Sequence, residues 1–119
     1  MMRYIFKEQG RRVRVQLPFL SKPLVIRRVV SPSMAPKLRP GQLVWATTLY
    51  HKLRPGQVVI IEQNNRELIK RIERIEKDGD EERIFVIGDN LGVSTDSRQF
   101  GWLDRRNVIA RVFKPNLAK

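Results

Sequence analysis

The chain has 119 residues, no cysteine, a single histidine and a formal net charge of +12. That length supports one hydrophobic core and no second one, so a single domain over residues 1–119 is expected. The missing cysteines exclude disulfides, thiolate metal sites and a cysteine nucleophile, and His51 alone cannot supply the ligands of a structural zinc. No metal and no cofactor are expected.

At the start of the chain, Pro18, Lys22, Pro23, Arg27 and Arg28 cut the apolar stretches well short of a membrane span. Arg11, Arg12 and Arg14 interrupt the place where the uncharged centre of a secretory signal would sit, which predicts a chain beginning at Met1 or Met2 and a cytoplasmic location. Residues 1–30 carry Arg3, Lys7, Arg11, Arg12, Arg14, Lys22, Arg27 and Arg28 against Glu8, eight minus one or +7. Residues 1–23 therefore read as a basic segment leading into the core. A solvated basic face is the plain interpretation. The sharper one is peripheral contact with an anionic membrane, since Leu17, Phe19, Leu20, Leu24 and Val25 lie among these charges.

Beyond it, short β-branched runs at Leu24 to Val30, Gln42 to Thr47, Gln57 to Glu62, Arg83 to Ile87 and Asn107 to Phe113 alternate with Pro-Gly, Asp-Gly and Gly-Asp-Asn turn signals. This is the cadence of a mainly β domain with few or no helices. Lys37-Leu-Arg-Pro-Gly-Gln-Leu-Val44 and Lys52-Leu-Arg-Pro-Gly-Gln-Val-Val59 are near copies, each a proline-glycine turn that delivers the chain into a strand. Between them and the C-terminal third, Leu68, Ile69, Ile72 and Ile75 fall at helical spacing in a run rich in helix formers. The flanking Asn64-Asn65 and Lys77-Asp78-Gly79-Asp80 look instead like hairpin loops around a strand.

Three segments carry candidate chemistry. Ser31-Pro-Ser-Met-Ala-Pro36 follows directly on a strand, and Pro32 and Pro36 restrict the backbone on both sides of Ser33, so its hydroxyl can be aimed. A nucleophilic serine needs a base. His51 sits in a basic turn with no carboxylate beside it in sequence, which favours a surface histidine over a triad member. A lysine of ordinary pKa, about 10.4, is neutral in only about one molecule in 2,500 at pH 7, so a lysine base must be buried or face positive charge. Lys70, between Ile69 and the Arg71-Ile72 pair, is placed for both. The third segment, Gly88-Asp-Asn-Leu-Gly-Val-Ser-Thr-Asp-Ser-Arg-Gln-Phe-Gly101, holds two acids, an arginine and three hydroxyls, enough for a buried, fully paired polar network.

Together with the Ile69-Lys70-Arg71 run, the paired Pro-Gly strand entrances and the ending Asn107-Val-Ile-Ala-Arg-Val112, these blocks resemble the signal peptidase I family of serine-lysine proteases, over about Leu24 to Lys114. The resemblance implies a catalytic core at residues 24–114 with an antiparallel β-sheet of the signal peptidase/LexA-like type, and a strand at residues 68–76. It also implies a serine endopeptidase with Ser33 as nucleophile and Lys70 as base and later acid. Ser94 would orient the lysine amine, and Ser31 would donate to the oxyanion beside the Ser33 backbone N–H. Asp89, Asp96 and Arg98 would brace the site, and Met34, Leu38 and Ile69 would line a shallow pocket for the small residue before the cleaved bond. The implied partner is a protein or peptide substrate, a proprotein cut near its N-terminus.

Two departures stand out. Gly41-Gln42 and Gly56-Gln57 replace the family's usual Gly-Asp, and the chain keeps only the compact core, without the family's membrane-spanning helices and inserted segments. The core size and the Ser97-containing loop wording are most similar to the maturation proteases associated with nickel superoxide dismutase, whose substrate is a soluble precursor. A signal peptidase acting at a membrane is the alternative within the same chemistry. A basic β module binding nucleic acid is the alternative outside it. Against that class, the nine aromatics are scattered instead of forming a stacking platform, so nucleic acid is not an expected partner.

Overall fold

The computed structural model describes residues 3–8, 11–16 and 23–117. β1 (Arg3–Glu8) and β2 (Arg11–Gln16) pair antiparallel as a sheet of their own, from Arg3↔Gln16 to Glu8↔Arg11, in a region where the sequence predicted no strand. Leu17, Phe19 and Leu20, three of the residues expected to mix with basic charge at a membrane surface, lie outside the described residues.

The main sheet has seven strands: β3 (Leu24–Arg28), β4 (Leu43–Thr47), β5 (Val58–Gln63), β6 (Arg66–Asp78), β7 (Glu81–Ile87), β8 (Leu103–Asp104) and β9 (Val108–Lys114). Their order is β3-β4-β9-β5-β6-β7-β8, and every pair is antiparallel. The protein is mainly β, as the turn spacing predicts. Among the described residues the helical content is one short helix, α1 (Ser97–Phe100), and 3₁₀ turns at Pro32–Met34 and Arg105–Asn107. Among the described residues, no helix is long and apolar enough to cross a membrane.

The two Pro-Gly segments fold as the same turn. Gly41 and Gly56 take φ values of 95° and 93°, which only glycine adopts freely after a proline. In each copy the glutamine after the glycine returns a hydrogen bond: Gln42 Oε1 accepts from Arg39 N, and Gln57 Oε1 accepts from Arg54 N. Asn64 and Asn65 both have positive φ and join β5 to β6 in a two-residue hairpin closed by Gln63↔Arg66.

Residues 66–78 are therefore one long strand, and its helix-like spacing has a specific origin. Ile72 faces Val86 and Ile75 faces Ile84, yet Arg74 faces Phe85, so Glu73 is an extra residue and β6 is bulged there. The bulge turns a two-residue alternation into a three-residue step, which keeps Ile72 and Ile75 on one face.

β5 is buried over Val58, Val59, Ile60 and Ile61 because both its faces are covered. Val58 and Ile60 join a cluster with Val29, Met34, Leu38, Val44 and Ala46, against which Val25 and Ile69 pack. Val59 and Ile61 join the opposite cluster with Leu53, Ile72, Ile84 and Val86. The first cluster draws β3, at one edge of the sheet, towards β5 and β6. The bidentate pair of Arg27 with Glu67, at 2.6 and 3.2 Å, ties β3 to β6 across forty residues of sequence.

Candidate active site

A cavity of about 410 Å³ opens in the gap between β3 and β6. Its near end is walled by Ser31, Ser33, Met34, Ile60, Ile69 and Lys70, with Thr95 and Phe100 contributed by the Gly88–Gly101 segment. The free edges facing this gap are visible in the pairing. β3 is the terminal strand of the sheet, and residues 66–70 of β6 pair with β5, while β7 takes over from Arg71 onward.

Ser33 sits within the 3₁₀ turn Pro32–Met34, with Pro32 at its start and the Ser31 Oγ accepting from Ser33 N at 3.2 Å. Ser33 is 5% exposed. Its carbonyl accepts from Asn90 N at 2.8 Å, and Pro32 O accepts from the Asn90 side-chain amide at 3.2 Å. Gly88 is pressed into this junction: a Cβ there would lie 2.2 Å from Ser94 Oγ and 2.6 Å from Ser33 O. The absence of a side chain at residue 88 thus lets the Ser33 backbone and the Ser94 side chain approach each other.

Lys70 is 2% exposed, in register with Val59 on β5. Its Nζ donates to Ser94 Oγ at 2.8 Å, and Ser94 Oγ donates to Asp96 Oδ2 at 2.7 Å. Because the serine proton is committed to a carboxylate, the serine oxygen presents lone pairs to Lys70. Burial pushes the Lys70 pKa below its ordinary value; the Asp96 carboxylate opposes that and the Arg98 guanidinium adds to it, with a net lowering. A neutral amine so held spends one N–H on Ser94 and keeps its lone pair for another group.

Asp96 is the most heavily solicited group in the site. Burial by itself would raise its pKa, but donors from the Arg98 side chain, Gly88 N, Ser94 Oγ and Arg98 N outweigh it and hold the carboxyl well below the usual range. The geometry is Gly88 N at 2.8 Å, Arg98 Nε at 2.9 Å and Arg98 N at 3.1 Å. Asp96 also caps α1, in a capping box completed by Gln99, and Ser97 Oγ accepts from Val86 N to dock the helix on β7.

The structure separates residues that the sequence grouped. Asp96 pairs with Arg98, whereas Asp89 forms a bidentate pair with Arg71, 2.8 Å on each arm. Arg71 was not among the expected site residues, although it stands beside Lys70 in sequence. It also donates to Gly56 O at 2.7 Å and Leu117 O at 2.6 Å, joining the strand entrance, the Gly88–Asn90 turn and the C-terminal segment. Met34 and Ile69 line the cavity, but Leu38 is fully buried in the core and does not. Ser31 lines it too, with its hydroxyl engaged by the Ser33 N–H that was expected to serve an oxyanion. His51 lies elsewhere, on an exposed loop between β4 and β5. Among the described residues no three histidine or acidic side chains converge as a metal set.

No curated protein matches the chain. The family model described as signal peptidase, peptidase S26 matches residues 73–116, a stretch that includes Asp89, Ser94, Asp96 and Arg98 and stops short of both Ser33 and Lys70. Through this C-terminal stretch, which carries the polar network behind the Lys70 amine, the chain is similar to the signal peptidases of peptidase family S26.

Proposed function

We propose that this protein is a serine endopeptidase in which Ser33 attacks the peptide carbonyl and Lys70 is the general base. The observation that carries the reading is the buried Lys70 amine, with its pKa lowered, held on Ser94 Oγ in a cavity that Ser33 also lines. The lysine lone pair takes the Ser33 proton as the hydroxyl oxygen bonds to the carbonyl carbon. The resulting ammonium then protonates the leaving amine, and a water deprotonated by the same lysine releases the acyl group. Ser31 turns from accepting the Ser33 N–H to donating to the oxyanion, which frees that N–H as the second donor. Ser94 and Asp96 keep the amine aimed, and Arg98 and Arg71–Asp89 hold the loops that carry them.

The substrate is read as an extended segment of a proprotein lying between the free edges of β3 and β6, with a small residue beside Met34 and Ile69. A soluble precursor, such as that of a nickel superoxide dismutase, fits a site whose far end is charged. The second reading, a signal peptidase acting at a membrane, draws on the exposed Leu24 and Ile26 of the edge strand β3 and Leu43 of its neighbour β4.

The test is cleavage of precursor peptides carrying alanine before the scissile bond, followed by mass spectrometry. Ser33→Ala and Lys70→Ala each remove product while the circular dichroism spectrum is kept, and His51→Ala retains activity. Loss in His51→Ala with activity persisting in Lys70→Ala overturns the assignment.

A further inference from the structure

The cavity changes character along its length. Beyond the apolar end at Met34, Ile60 and Ile69, it is lined by Arg27, Arg28, Arg66 and Glu67, three cations against one anion, or a net +2. Arg27 and Glu67 satisfy each other. The Arg28 guanidinium donates to the Gly41 carbonyl, and neither it nor Arg66 has a carboxylate partner among the described residues. Arg28 and Arg66 thus line that end without a carboxylate partner among the described residues.

We infer that the cleft selects peptides with an acidic side chain at the third or fourth residue before the cleaved bond, an inference that rests on the protease reading above. β3 runs from Arg27 towards Ser33, and β6 runs from Arg66 towards Lys70, so both walls lead from the charged end to the candidate dyad. An extended peptide advances about 3.3 Å per residue, which puts Glu67 and Arg66 about 10 and 13 Å along the strand from Lys70. Ile69, beside the residue before the bond, lies in the same direction. A carboxylate arriving there meets Arg66 and Arg28 and can exchange with Glu67 for Arg27. A lysine meets the same guanidiniums with like charge. A secretory signal, with a small uncharged residue at the third position before the bond, leaves them uncompensated.

Because the whole chain carries +12, attraction of any anion must be separated from selection by position. Three fluorescent peptides share one composition class and an alanine before the bond: the first has glutamate at the third residue before it, the second has lysine there, and the third has the glutamate moved to the tenth residue, outside the cleft. Anisotropy titration of the full chain bearing Ser33→Ala measures binding whether or not the chain hydrolyses peptides. The first peptide is expected to bind about 5- to 10-fold tighter than either of the others, as two partly solvated charge pairs allow. The gap closes at high salt, and Arg66→Glu reverses the order of the first two. Equal binding of the first and third peptides, an unchanged order in Arg66→Glu, or no binding of any peptide overturns the inference. Ranked binding with no cleavage by the native chain removes the protease reading and leaves the selection standing; cleavage of all three peptides with equal binding does the reverse.

Discussion

Lys70 and Arg71 are adjacent on β6, almost equally buried at 2% and 3% exposure, and face opposite ways. Arg71 is met by both oxygens of Asp89 and by two backbone carbonyls, whereas Lys70 meets a single serine hydroxyl. A buried cation with a full set of acceptors is a strut whose removal breaks all of those contacts at once. A buried amine offered one neutral acceptor is pushed towards losing its proton. The same strand therefore supplies a structural charge on one side and a chemically poised amine on the other.

The sharpest way to break this comparison is to make the two cations apolar in turn. Lys70→Met is expected to lower the cleavage rate by at least about 10³-fold while raising the urea midpoint, because the desolvation cost of the amine disappears with it. Arg71→Met is expected to do the opposite to the fold, lowering stability by about 3–5 kcal/mol as the bidentate pair with Asp89 and the two carbonyl contacts are lost together. A destabilised Lys70→Met, or an Arg71→Met as stable as the parent, would erase the distinction.

pH separates the two sides further. The Lys70 pKa is lowered in the folded chain, so between that value and the ordinary 10.5 the unfolded chain binds a proton that the folded one does not. Stability contributed through Lys70 therefore rises with pH across that window, and the cost is fully present below it. Cleavage should rise with pH as the same amine deprotonates, and a flat profile would count against a titrating lysine. Asp96 behaves with the other sign: its carboxyl is held low, so its stabilisation is present above about 3.8 and is lost as the pH falls. Asp96→Asn should cost about 2–3 kcal/mol, at the low end for a buried pair because the Arg98 side chain is 35% exposed, and should flatten the acid limb of the unfolding curve. The smallest change expected is in Ser94→Ala, which removes the acceptor of the lysine amine but leaves Asp96 its Gly88 and Arg98 donors. Turnover should fall by about 10- to 100-fold, with unfolding nearly unaltered. An unchanged rate would show that the amine does not depend on Ser94 for its aim.

Much of the protein was legible before its coordinates. The five β-branched runs became β3, β4, β5, β7 and β9 within a residue or two at most ends, and the duplicated Pro-Gly segments became duplicate turns, because proline and glycine act on the backbone locally. The Gly88–Gly101 segment announced a polar network through its composition alone. β6 was ambiguous for a definite reason: the Glu73 bulge places Ile72 and Ile75 three apart on one face, the step a helix also uses.

Local chemistry, then, determined by itself the turns, the strand runs and the residue types available for catalysis. Which acid meets which base was decided only in three dimensions. Arg71 reaches Asp89 across eighteen residues, Arg27 reaches Glu67 across forty, and Leu38 turns into the core while Met34, four residues earlier, lines the cavity. Those pairings depend on strand order and on the curl that carries β3 over to β6, a collective result of burying two apolar faces of one sheet that no short stretch of sequence encodes.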